Sequence, residues 1–184
     1  MTIRTFEDFR PRIARSAFVD EHALVIGDVV IDDDASIWPM TVVRGDISPI
    51  RIGARTNIQD GSVLHVTHDS EFAPGGFSCS VGADVTVGHK AILHACVVED
   101  GCLIGMGATV MDGAVVRSGA IVAAGALVSP GKDLEGGYLW VGVPAKRGRA
   151  LTKKEQAFLN YSVKHYVELK NRHMAASNVI GMHE

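Results

Sequence analysis

Aliphatic residues recur at every sixth position along most of the chain. From Ile13 the series runs Val19, Val25, Ile31, Ile37, Val43. It resumes as Ile52, Ile58, Leu64, then as Val81, Val87, Leu93. A last run spans Val98, Ile104, Val110, Val116, Val122, Val128. Small residues and turn formers fill the other slots, and between residues 98 and 127 a glycine holds the fourth slot of every unit. Glycine there favours a sharp corner.

Six residues are too few for a strand and a hairpin. They suit one short strand and one corner, repeated in a single rotational sense, so that stacked coils bury a continuous aliphatic column. An ordinary β-sandwich would place strands every 8–12 residues with longer loops, which this spacing does not do. The expected fold class is therefore an all-β solenoid. The pattern resembles that of the hexapeptide-repeat proteins, which implies a left-handed parallel β-helix with three hexads per coil. The left hand comes from the resemblance, since it runs against the usual right-handed crossover. Eighteen hexads would form six coils.

Breaks in phase mark departures from the coil. Val43 to Ile52 contains three extra residues, Leu64 to Val81 contains eleven, and Leu93 to Val98 lacks one. Insertions in a solenoid leave as loops, often on the functional face. After Val128 the pattern is read as stopping, with a loop and then a last strand segment, YLWVGVP. Thr152 to Glu155 carries a capping-box signature. An amphipathic α-helix is expected from there to about His173, with Phe158, Tyr161, Val163, Tyr166, Val167 and Leu169 on its apolar side. This gives a β-helix domain over 1–150 with a short N-terminal segment, a C-terminal helix over 151–174 and a tail over 175–184.

Composition narrows the function. Hydrophobic residues are 47% but aromatics only 6%, so the core is aliphatic. A net charge of −3 argues against a nucleic-acid or membrane-surface partner. No apolar run reaches the roughly 18–20 residues of a membrane span, and the first residues lack the apolar stretch of a signal peptide. Three cysteines without a Cys-x-x-Cys pair fit a reducing compartment, so a cytoplasmic location is expected. Cys96 and Cys102 read as small core residues.

Three of the eight histidines gain meaning once hexads are assigned to faces. With each insertion treated as a loop, His65 and His94 occupy the second slot of face-one hexads on adjacent coils. Stacked strands lie about 4.8 Å apart, so the two imidazoles can converge on one ion. Arg44 holds the same slot one coil earlier. His89 falls on face three, above Asp60 and away from that column.

The strings VVRGD (42–46), NIQDG (57–61), VLHVTH (63–68) and VGHKAILHAC (87–96) resemble the γ-class carbonic anhydrase branch of the hexapeptide-repeat proteins, in particular its bacterial YrdA-type members. The resemblance covers nearly the whole chain. It implies a homotrimer with metal at the subunit interfaces, held by His65 and His94 of one chain and His89 of its neighbour. The ion implied is Zn2+, or Fe2+ or Co2+, and the reaction is hydration of carbon dioxide to bicarbonate by hydroxide on that ion. By matching motif, Gln59 would hydrogen-bond the bound water. Arg44, Asp46 and Asp60 would form a polar network across the interface, and Tyr161 would approach the site from the helix.

Two positions depart from the family pattern. Ile47 stands where the better-known enzymes carry a Glu, and the loop 67–80 lacks their acidic proton shuttle. That loop offers His68 as a candidate proton carrier in its place, and the two departures together lead to an expectation of low activity. Two other classes stay open. One is a hexapeptide acyltransferase or thioesterase acting on a coenzyme A thioester; the other is a non-catalytic trimeric metalloprotein scaffold.

Overall fold

In-register stacking of the hexads builds the fold. The computed structural model describes residues 3–176. Its strands form a parallel, left-handed β-helix of triangular section. Face one stacks Ile3, Val25, Val43, Leu64, Leu93, Val110 and Val128 on one another. Face two stacks Ile13, Ile31, Ile52, Val81, Val98, Val116 and Leu134. Face three stacks Val19, Ile37, Ile58, Val87, Ile104, Val122 and Trp140. From Val25 to Val128 every column residue is at most 1% exposed. Burying each such side chain contributes about 1.5–3 kcal/mol.

The hexad phase does not end at Val128. Leu134 and Trp140 continue it on faces two and three, so the stack is longer than six coils. The Leu134 hexad is hard to read because glycines and charges surround its single apolar residue, whereas Trp140 lies in the strand segment YLWVGVP that the sequence already marks. The stack then closes with Tyr138–Val141 paired antiparallel to Lys146–Ala150.

Corners explain the fourth slot. Gly119, for example, has φ +70, and the same left-handed conformation is adopted by Met40, Arg55, Asp84 and Lys90 where no glycine is present. Glycine also marks close stacking: a Cβ on Gly105 would come within 2.4 Å of the Ala124 nitrogen.

The phase breaks lie where the spacing puts them. The three extra residues distort the long strand Val42–Ile52 between Gly45 and Ile50. The eleven-residue insertion leaves the coil after face one as a small hairpin, bridged between Thr67 and Phe77 and between Ser70 and Ala73.

A single helix, Lys153–Ala175, lies along face three. Thr152 caps it, accepting from the Glu155 amide while the Glu155 side chain accepts from the Thr152 amide. Its buried stripe differs from the apolar list drawn from sequence. Leu159, Ser162, Val163 and Lys170 are buried, whereas Phe158 and Tyr161 are 50% and 62% exposed. The stripe is set by what the helix meets: Ile121 and Leu151 at its start, Thr86 midway, and Trp38 with Phe18 near its end. Lys170 reaches inward and donates to the Ser16 carbonyl, Asp34 and Asn171, each at 2.7 Å. Most of the tail assigned to 175–184 lies outside the described residues. No helix among the described residues is long and apolar enough to cross a membrane.

Candidate metal centre

The strands Val63–His65 and Ile92–His94 are neighbours on face one, with His65 directly paired to His94. Leu64 and Leu93 point into the core, so alternation turns both histidines outward. Their rings are tilted, and His65 Nδ1 lies 3.2 Å from His94 Nε2.

The far nitrogen of each ring faces a carboxylate. His65 Nε2 is 3.2 Å from Asp46 Oδ1, and His94 Nδ1 is 2.7 Å from Asp112 Oδ1. A carboxylate accepts, so these nitrogens carry the protons. That leaves His65 Nδ1 and His94 Nε2 with lone pairs turned toward each other. Two facing lone pairs repel, and a cation between them removes the repulsion. Their spacing also fits: ligands at about 2.0–2.1 Å on a tetrahedral ion are about 3.3 Å apart.

The carboxylates are themselves held. Arg44 donates to Asp46 at 2.5 Å, and Thr67 donates to Asp112 at 2.5 Å. Burial pushes Asp46 up, but hydrogen bonds from Arg44 and His65 outweigh it and hold the carboxyl below its ordinary pKa. Burial pushes Asp112 up as well, and hydrogen bonds from Thr67 and His94 again outweigh it. Burial, helped by the Arg44 charge, pushes the His65 imidazole down against the pull of Asp46, which favours the neutral form a metal requires.

His89 lies elsewhere. It sits on face three with Nδ1 2.8 Å from Asp60 Oδ2, and its side chain is 42% exposed. It therefore repeats the carboxylate backing of the other two. Among the described residues, no three His, Cys, Asp or Glu side chains of one chain gather to hold an ion.

The remaining residues expected at the site divide between two regions. Arg44 and Asp46 join His65 on face one, and exposed His68 shares a groove of about 550 Å³ with Asp46, Ile47 and Phe9. Asp60 and Gln59 belong to the His89 region. Gln59 is 4% exposed and donates to Asn57 at 3.0 Å. Gln59 and His89 line an apolar groove of about 390 Å³ between face three and the helix. Tyr161 stands on the helix's outer side, stacked on His165. Within one chain the structure does not bring it to the histidine pair.

Asp112 and Thr67 are not singled out by the spacing. Asp112 precedes a corner glycine and reads as a turn residue. The signal that could have found it is a carboxylate one coil beyond a candidate ligand.

The fold and the backed histidines together define a hexapeptide-repeat β-helix protein with a divided histidine site. No family model matches the chain. Protein YrdA of Escherichia coli is 47% identical over 96% of each chain. Mitochondrial gamma carbonic anhydrase 1 of Arabidopsis thaliana is 43% identical over 95% of this chain and 63% of its own length. The crystal structure of a hexapeptide transferase family protein from Anaplasma phagocytophilum superposes with a TM-score of 0.86 at 39% identity, covering 93% of this chain and 97% of that one. The chain belongs to the γ-carbonic-anhydrase-like family of hexapeptide-repeat proteins.

Proposed function

We propose that this chain is a cytoplasmic, metal-dependent carbonic anhydrase-like enzyme that works as a homotrimer. One observation carries the reading. Three histidines each give one ring nitrogen to a carboxylate, two on one face with their other nitrogens turned toward each other and one on another face. A neutral imidazole oriented by a hydrogen-bonded carboxylate is the usual form of a histidine ligand. His65 and His94 of one protomer and His89 of the next would hold the ion, Zn2+ or else Fe2+ or Co2+. When bound, such a cation supplies an activated water for addition to carbon dioxide.

The chain's own groups do the rest. Asp46 and Asp112 fix the tautomers of His65 and His94, and Arg44 and Thr67 fix those carboxylates. Asp60 does the same for His89. Gln59, buried beside His89, offers an amide to a bound water or substrate oxygen. His68 shares a groove with Asp46 and is open to solvent, so it can carry protons away. Tyr161 faces outward, where a neighbouring protomer can meet it.

The test is metal content of anaerobically purified protein together with carbon dioxide hydration on the same sample. His94→Ala should lose the metal and keep the β-helix, because the aliphatic column is untouched. Normal metal content in that variant would overturn the ligand set. A second reading, an acyltransferase or thioesterase acting on a coenzyme A thioester, is favoured by the apolar groove beside His89. Bound metal with no hydration in the parent protein would favour that reading or a trimeric scaffold.

A further inference from the structure

The insertion after His65 ends in an exposed aromatic residue. Its hairpin is well built: Thr67 and Phe77 exchange backbone hydrogen bonds at 3.0 and 2.9 Å, and Ser70 and Ala73 do so at 3.2 and 3.1 Å. Asp69 accepts from the Gly75 amide at 2.7 Å. The turn between Ser70 and Ala73 presents Phe72, which is 90% exposed. A hairpin this ordered holds its phenyl ring in water at a standing cost in apolar exposure.

The hairpin also has a direction. Thr67 bonds Asp112, one coil beyond His94, and the Phe77 ring lies 3.7 Å from the Cβ position of Gly113. Its root is therefore held against the later coils. The apolar groove on face three runs the same way, from His89 past Leu103 and Met106 to Phe158. Counted from Gln59 to Ala124, three coil steps of about 4.8 Å give it a length of about 14 Å. The hairpin arm, about three residues at 3.3 Å each, reaches about 10 Å from its root.

Within one chain the two features cannot meet. The hairpin leaves the corner between faces one and two, and the groove lies on face three, across the prism. In the proposed trimer they become neighbours. An ion shared by His65 and His94 of one protomer and His89 of the next sets the hairpin's root beside the mouth of the partner's groove. The contact requires the solenoid axes of that trimer to run parallel, so that coil levels stay aligned.

We infer that Phe72 of each protomer inserts into the next protomer's groove, beside Met106 and Phe158, and closes the apolar flank of the shared metal site. This rests on the trimer reading above. Such a contact is head-to-tail and closes in a ring of three. It restricts the space beside the ion to a small substrate and excludes an acyl chain from that groove.

The test is the full-length double variant Phe72→Cys, Met106→Cys, oxidised with copper phenanthroline. Both positions are exposed, and the three native cysteines are buried. The expected result is a non-reducing gel with bands at twice and three times the chain mass, absent from each single variant. Light scattering on the parent protein runs beside it. A trimer in solution without these bands, or with the bond formed inside one chain, overturns the Phe72 contact and leaves the trimer standing. A monomer overturns both. As a second readout, Phe72→Ala should keep the trimer and gain binding of the apolar dye ANS; unchanged binding speaks against the contact.

Discussion

At the scale of single residues, the decisive contacts lie one atom behind the histidines. Asp112 chooses which nitrogen of His94 is free. Asp112→Asn keeps the shape but can turn its amide toward the ring and favour the wrong tautomer. A loss of about 10–100-fold in metal affinity is expected, read by competition with a chelator, while circular dichroism stays unchanged. His68 is tested differently. If hydration is present, His68→Ala should slow turnover at low buffer concentration, imidazole should restore part of it, and metal content should not move. Cys102 gives a pH-dependent expectation. Burial raises its thiol to about 11, so the reactive thiolate is scarce below that value. A hydrogen bond with Cys79, together with burial, also raises Cys96. Iodoacetamide at pH 8 should therefore leave the folded protein unlabelled, and mass spectrometry should find three adducts only after denaturation.

At the scale of elements, legibility follows the strength of the repeat. Six residues per side is imposed by coil geometry, so once the eleven-residue insertion is set aside as a loop, Leu64 and Leu93 fall one coil apart, and with them His65 and His94. The side of the helix that is buried is imposed by its neighbours. Phe158 and Tyr161 read as core and are exposed, whereas Lys170 reads as surface and is 1% exposed. Nothing in a helical period shows that an ammonium will find three acceptors. Lys170→Ala should cost about 2–3 kcal/mol, below the usual cost of breaking a buried pair because Asp34 remains partly open to water. A denaturant midpoint measures it, and a change within error would reduce Lys170 to a packing residue. Asp112 escapes notice for a related reason: its partner is distant in sequence and its immediate context is a turn.

At the scale of the whole molecule, the helix changes how the stack behaves. A solenoid is nearly one-dimensional, each coil stabilised by the coils on either side, so the outermost turns would open first. Here a helix of 23 residues, about 34 Å at 1.5 Å each, sets Leu159 against Ile121 and, about 21 Å further on, His173 against Phe18 and Trp38. The strut ties early coils to late ones, so fraying at one end must also strip a rigid rod from the other. Local opening is converted into global opening. Native-state hydrogen exchange should find the Asp20 amide, bonded to the Ile37 carbonyl near the start of the chain, nearly as protected as the Gly88 amide in the middle. Trp38→Ala should release that protection at the early coils alone, returning to the molecule the soft end that a bare spiral would have.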